Sequence, residues 1–130
     1  MQAILCVDDE EMILTCLKDQ LRRRLGTSYL FETANSGEEA LEVIAELAGD
    51  GINLLVVLSD WLMPGLKGDE FLTQVHEQYP QIVTVMLTGQ ADPSAIERAK
   101  TDANLYRCLQ KPWNEEELIQ TIQSSLIQGV

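Results

Sequence analysis

Three aspartates, one lysine and one threonine stand out by type and by place. Asp8 and Asp9 follow one apolar run and Asp60 ends a second. Thr88 ends another, and Lys111, followed by Pro112, ends a fourth. Each polar group thus arrives at the same end of a short apolar segment. If those segments lie parallel in one sheet, the groups converge at its carboxyl edge, where open α/β sheets place their sites. Three carboxylates with a lysine and a hydroxyl suit a hard divalent cation and a phosphoryl group. Magnesium keeps several waters and uses one or two carboxylates besides phosphate oxygens, work that adjacent aspartates can share. Asp60 follows the longest apolar run, and a carboxylate there can attack a phosphoryl group to form an acyl phosphate. Attack by an anion on an anion needs charge neutralisation, which a cation and Lys111 would supply.

Taken singly, each of these residues has an ordinary structural role. Asp8 or Asp9 could cap the following helix beside Glu10 and Glu11, favouring its dipole. Asp60 could open a turn before Met63-Pro64, Thr88 could end a strand, and Lys111 could be a solvated cation. Five such groups, each at a strand end, say more together. Pro112 pushes Lys111 into extended geometry, so the lysine points forward over the edge. The bond between them is expected to be trans, as X-Pro bonds usually are.

The elements that must carry these groups alternate strictly between strand-like and helix-like periods. Strands are expected over Ala3–Val7, Tyr29–Thr33, Leu54–Leu58, Ile82–Leu87 and Leu105–Leu109. The first helix carries Met12, Ile13, Leu14, Leu17, Leu21 and Leu25 as its apolar stripe. Ser36 with Glu39 reads as a capping box for a second, striped by Ala40, Leu41, Ile44 and Leu47 and stopped at Gly49-Asp50-Gly51. Pro64 to Gly68 is a loop, and Phe71, Leu72, Val75 and Tyr79 mark a third helix. Asp92-Pro93 pairs a cap with proline at the first position of a fourth. Asn114 with Glu117 opens a fifth, which bears Leu118, Ile119, Ile122 and Leu126. The continuously apolar Leu54–Leu58 suits a central strand buried on both faces. Such alternation implies right-handed crossovers and a parallel sheet with helices on both faces.

At 130 residues, 45% hydrophobic and 23% charged, the chain reads as one domain, residues 1–130. Its net charge of −12, from 21 acidic and 9 basic residues, gains nothing from counterion release on nucleic acid and is repelled by an anionic membrane. Direct nucleic-acid and membrane partners are therefore not expected. Cys6, Cys16 and Cys108 show no metal-ligand spacing and read as small apolar core residues of a reducing compartment. No apolar stretch reaches the roughly 18 residues of a spanning helix. The amino terminus has no signal-peptide pattern, so a cytoplasmic location is expected.

The motifs Val7-Asp8-Asp9-Glu10, Ser59-Asp60-Trp61-Leu62-Met63-Pro64-Gly65, Leu87-Thr88-Gly89 and Lys111-Pro112-Trp113 make the chain recognisable. Over roughly residues 3–127 it resembles the receiver domain of bacterial two-component response regulators. The resemblance implies a flavodoxin-like, doubly wound sheet of five parallel strands in the order 2-1-3-4-5, with five helices. It implies that Asp60 accepts phosphate from a phosphohistidine on a sensor histidine kinase or phosphotransfer domain. Asp9 would bind Mg2+ (or Mn2+) directly, with Asp8 assisting and Asp60 and the Leu62 backbone carbonyl as further ligands. Lys111 would pair with the phosphoryl group and Thr88 would hydrogen-bond it. An effector would engage the fourth helix (Asp92–Lys100), the fifth strand and the fifth helix, and a homodimer is open. Such a domain is a switch rather than an enzyme, with only self-directed phosphorylation and slow self-dephosphorylation.

Two readings compete with the switch. A degenerate receiver would serve as a phosphorylation-independent docking module, although every chemical residue is present. A flavin-binding relative would need hydroxyls and amides after the first strand, where Asp8 to Glu11 would repel phosphate. The chain also departs from the family's pattern. Receivers commonly carry an aromatic residue three positions before the lysine; here that position holds Cys108, and Tyr106 either takes over its coupling role or packs. Leu62 and Gln90 flank the site, and an apolar Leu62 cannot orient attacking water. His76 is expected on the surface, Trp61 against the site loop, and Trp113 either over the Lys-Pro turn or on a partner. The chain is read as a single-domain regulator or a piece of a longer protein. The Lys111-Pro112-Trp113 ending and Tyr106-Arg107 resemble receivers attached to phosphohydrolases, cyclases or hybrid kinases, which favours an enzymatic output in the longer case.

Overall fold

A computed structural model describes residues 1–89 and 93–128. Its elements alternate as β1 (Gln2–Val7), α1 (Glu11–Leu25), β2 (Tyr29–Ala34), α2 (Gly37–Gly49), β3 (Asn53–Asp60), α3 (Gly68–Gln78), β4 (Val83–Thr88), α4 (Pro93–Asp102), β5 (Arg107–Gln110) and α5 (Glu115–Gln128). All strand pairs are parallel, in the order β2-β1-β3-β4-β5. This is the flavodoxin-like arrangement the resemblance implies.

The apolar periods divide the core in two. Leu14, Leu17 and Leu21 of α1 pack with Leu118, Ile119 and Ile122 of α5 on one face of the sheet. The stripes of α2 and α3, with Ala99 of α4 and the following Ala103, cover the other. β3 lies at the centre and is buried on both sides, which is why its sequence is apolar without alternation. Ser36 accepts a hydrogen bond from the Glu39 amide at 3.1 Å, as the capping box requires. The reciprocal bond is displaced by one residue, because the Glu39 carboxylate accepts from the Asn35 amide instead. Asn114 accepts from the Glu117 amide at 3.0 Å, as expected for the start of α5.

Several expectations need correction. Met12 is 85% exposed, since it lies off the stripe of α1 on which Ile13 is partly and Leu14, Leu17 and Leu21 are fully buried against the sheet. Cys16 is also exposed because it lies off the Leu14–Leu17–Leu21 stripe, whereas Cys6 is core. β5 begins at Arg107, two residues later than the apolar pattern suggests, and β4 spans Val83–Thr88. Leu105 and Tyr106 are half-buried but serve the turn out of α4. His76 is half-buried in the last turn of α3 rather than fully on the surface. The Lys111-Pro112 bond is cis, a choice that the weak trans preference of X-Pro leaves to tertiary context. Gln90 and the Asp92 cap lie outside the described residues, as do Gly129 and Val130. Among the described residues no helix is long and apolar enough to cross a membrane.

One irregularity positions the site. Ala3 pairs with Leu54, but Ile4 pairs with Val56, so β3 carries one extra residue, Leu55, against β1. Leu55 and Val56 both turn to the α1/α5 side, and the alternation then resumes with Val57 on the α2/α3/α4 side. A one-residue shift reverses the facing of everything beyond it. With the bulge, Val7 pairs with Ser59, and the next residues on the two chains are Asp8 and Asp60.

Candidate functional site

The carboxyl ends of β1, β3, β4 and β5 surround a cleft of about 510 Å³ lined by Asp9, Asp60, Leu62, Thr88 and Lys111, among others. The strand register brings them there. Asp60 pairs with Leu87, Thr88 with Gln110, and the Lys111 amide donates to the Thr88 carbonyl at 3.1 Å. Asp60 and Thr88 are the last residues of their strands and are 6% and 4% exposed. Asp8 is 1% exposed, below the cleft, whereas Asp9 is exposed at its rim.

Neither aspartate caps α1. Glu10 occupies that position and makes no side-chain capping bond. Asp8 instead accepts the Glu10 amide on one oxygen, at 2.9 Å, and the Lys111 ammonium on the other, at 2.6 Å. Lys111 also stands 3.2 Å from Asp60, so one cation bridges two buried carboxylates. Burial, then the charge of Asp8, raises the Asp60 pKa above the ordinary carboxylate value, against the opposing pull of Lys111. For Lys111, burial alone would lower the pKa. The hydrogen bond to Asp8 and the charge of Asp60 outweigh that and hold the ammonium above its usual value. The lysine therefore stays charged at neutral pH.

Asp8, Asp9 and Asp60 each present an oxygen within 4.8 Å of the other two. Three carboxylates crowded around one lysine carry surplus negative charge, and an all-oxygen set matches the preference of Mg2+ or Mn2+ over softer metals. The donor set fits a hard divalent cation.

Two glycine-adjacent features escaped sequence reasoning. Gly68 starts α3 with its backbone pressed against the acceptor strand. A Cβ there would collide with the Asp60 carbonyl oxygen and lie 2.7 Å from the Trp61 Cα. Its amide donates to the Trp61 carbonyl at 2.8 Å, closing the loop after Asp60. The loop itself was legible from Pro64 to Gly68, but nothing local to the sequence indicates which backbone the glycine meets. Asp69 was missed outright; it is buried and receives the Trp61 indole N–H at 3.0 Å.

Away from the cleft, Cys108 packs half-buried on the α2/α3/α4 side, where burial raises its thiol pKa against the pull of Lys100. Tyr106 packs on the opposite side, its hydroxyl 2.7 Å from that of Ser124. Ser124 gives its own proton to the Thr121 carbonyl, so Tyr106 is the donor. The tyrosine is thus fastened to α5, on the face of the sheet opposite Cys108. Trp113 donates to Gln20 of α1 at 2.8 Å and packs into the α1/α5 core. Arg23 and Arg24 of α1 pair with Glu115 and Glu116 beside it.

The family model of the response regulator receiver domain matches residues 4–123. The hydrogenase transcriptional regulatory protein HoxA of Cupriavidus necator is 34% identical over 95% of this chain. The chain spans 24% of that protein's length. The signal receiver domain of an HD domain-containing protein from Pseudomonas fluorescens Pf-5 superposes with a TM-score of 0.86 at 30% identity, covering 98% of this chain and 88% of that one. The chemotaxis protein CheY4 of Vibrio cholerae gives a TM-score of 0.79 at 31% identity, covering 97% and 99%.

Proposed function

The chain belongs to the response regulator receiver family, and from that premise we propose that it is a phosphorylation-driven switch with Asp60 as the acceptor. The observation that carries this reading is the buried Asp60 carboxylate at the cleft, 3.2 Å from the Lys111 ammonium. A carboxylate oxygen of Asp60 attacks phosphorus in the phosphohistidine of a sensor kinase or phosphotransfer domain. The new O–P bond forms as the P–N bond breaks, and the imidazole leaves with its electron pair. Lys111 moves its charge toward the arriving phosphoryl oxygens, and the Thr88 hydroxyl donates to one of them.

Asp9 at the rim, Asp60, the Leu62 carbonyl and, less directly, Asp8 would hold Mg2+ or Mn2+. When bound, the cation supplies the charge shielding that lets an anion approach a phosphate. Asp8 suits the indirect part because both of its oxygens already have donors. The domain is a signalling module, not an enzyme that turns over a separate substrate. We place it in the cytoplasm, working through an effector domain or protein that engages α4, β5 and α5. Where the domain is part of a longer protein we propose an enzymatic output, in line with the HD domain-containing protein whose receiver it matches, although the match to the transcriptional regulatory protein HoxA points to control of transcription instead. Among the described residues of the cleft, none favours a docking-only module.

Intact mass after incubation with acetyl phosphate tests this. We expect a gain of one phosphoryl group that needs Mg2+ and is lost in Asp60→Asn. No gain, with acetyl phosphate or a phosphorylated donor, would overturn the reading. Leu62 is 50% exposed at the cleft and offers no polar group to orient water. The acyl phosphate should therefore hydrolyse slowly, and Leu62→Asn should shorten its half-life on the order of tenfold, about 1.4 kcal/mol of barrier. An unchanged half-life in that variant would remove Leu62 from the account.

A further inference from the structure

The connection from β3 to α3 holds a buried carboxylate that the phosphoryl chemistry does not use. Asp69, in the first turn of α3, is 8% exposed. Its Oδ1 accepts the indole N–H of Trp61 at 3.0 Å, and Trp61 follows the acceptor Asp60 directly. Its Oδ2 faces the Arg98 guanidinium of α4 at 3.6 Å. One carboxylate therefore meets the acceptor-bearing loop on one oxygen and a helix on the other. The Trp61 backbone is fixed by the Gly68 amide, but its side chain and α4 are less firmly held. Trp61 is half-buried, with the Lys67 ammonium 5.5 Å from its ring centroid. α4 fully buries only Ala95 and Ala99, with Ile96 half-buried, so little apolar area keeps it in place.

An acid in the first turn of a helix is by itself favourable to the helix dipole, and that would explain Asp69 without any further role. It does not explain burial with an indole N–H and a guanidinium charge arriving from two different elements. We propose that Asp69 is a positioning residue that links the Asp60 loop to α4. A shift of the loop when Asp60 changes charge and volume moves Trp61, and Asp69 passes that shift to Arg98. The link rests on Asp60 being the phosphorylated residue. It matters in this chain because Cys108 puts no aromatic side chain between the site and the α4–β5 face.

Hydrogen–deuterium exchange over residues 93–102, before and after acetyl phosphate with Mg2+, reads the link directly. Wild type, Asp69→Asn and Arg98→Gln would be compared, with intact mass reporting phosphorylation of each. Asparagine keeps a carbonyl oxygen for the indole and removes the charge that faces Arg98. Arg98 is exposed, so its variant folds whatever becomes of Asp69. We expect equal phosphorylation in all three and a phosphorylation-dependent exchange change in α4 that falls roughly fivefold in both variants. The indole resonance of Trp61 should also shift in Arg98→Gln. A purely structural Asp69 would alter basal exchange but not the phosphorylation-dependent difference, and an undiminished difference overturns the proposal. Phosphorylated wild type with an unresponsive α4 overturns it too, leaving the acceptor assignment standing. Unphosphorylated wild type overturns the acceptor assignment first and the link with it.

Discussion

The carboxyl edge of the sheet and the α4–β5 face are built on different principles. At the edge, Asp8, Asp60, Thr88 and Lys111 are all largely buried, and Lys111 meets two carboxylates within 3.2 Å. Every position is held by strand register and by at least one polar contact. Around α4 and β5 the anchors on the α4 side are small or half-buried, Ala95, Ile96 and Ala99 on α4 and Cys108 on β5, while on the α5 side Leu109 is buried and half-buried Tyr106 is tied to Ser124. The first region is over-determined, as a reacting constellation must be. The second spends little apolar area on holding α4, as an element that has to move must. The chemistry is thus fixed where the packing is dense, and the response is left to where it is thin.

That contrast has consequences of graded size. The largest should come from Lys111→Met, which leaves Asp8 and Asp60 facing each other without their shared cation. Phosphorylation from acetyl phosphate is expected to slow by roughly 100-fold or more, the scale of losing one charge stabiliser. A slowing of less than about threefold would mean that the edge is less tightly specified than its geometry implies.

Asp60→Asn should show the other side of that crowding. Burial and Asp8 raise the Asp60 pKa in the folded state, so folding favours its protonated form. The stability linked to that proton is fully present below the unfolded pKa and is lost as pH rises through the folded pKa. At neutral pH without divalent cation the variant should therefore be more stable than wild type, by about 1 kcal/mol. The difference should shrink as the pH is lowered through the acid range. Thermal melts at neutral and acid pH check this, and a destabilised variant would contradict it.

The smallest effect belongs to the other region. Tyr106→Phe removes a half-buried hydroxyl contact with Ser124 and should cost about 0.5 kcal/mol by urea titration. Phosphorylation stoichiometry should not change. A variant that lost phosphorylation instead would show that the two regions are one unit, and the contrast would fail.

Much of this was legible without coordinates, for reasons that particular residues make plain. Strand ends are local events. An apolar run followed by Asp8-Asp9, Asp60, Thr88 or Lys111 announces both the strand and the group it delivers. Helix starts are equally local, and Ser36 and Asn114 cap where their spacing to Glu39 and Glu117 says they should. Met12 and Cys16 are exposed although apolar, because character alone does not place a side chain and only the sheet-facing stripe of α1 is covered.

By itself, then, the sequence determined the alternation of elements, the parallel sheet and the set of groups at its edge. Each of these follows from short-range periodicity and from the right-handed crossover that any β-α-β chain obeys. Only the tertiary structure decided which groups meet. The extra residue at Leu55 brings Asp60 into phase with Asp8, and no pattern within β3 announces a bulge that exists only against β1. The collision waiting at Gly68, the twofold engagement of Asp8 and the Trp61–Asp69–Arg98 contacts are long-range in the same sense. They depend on distances between elements, and those are set by how the two cores pack against the sheet.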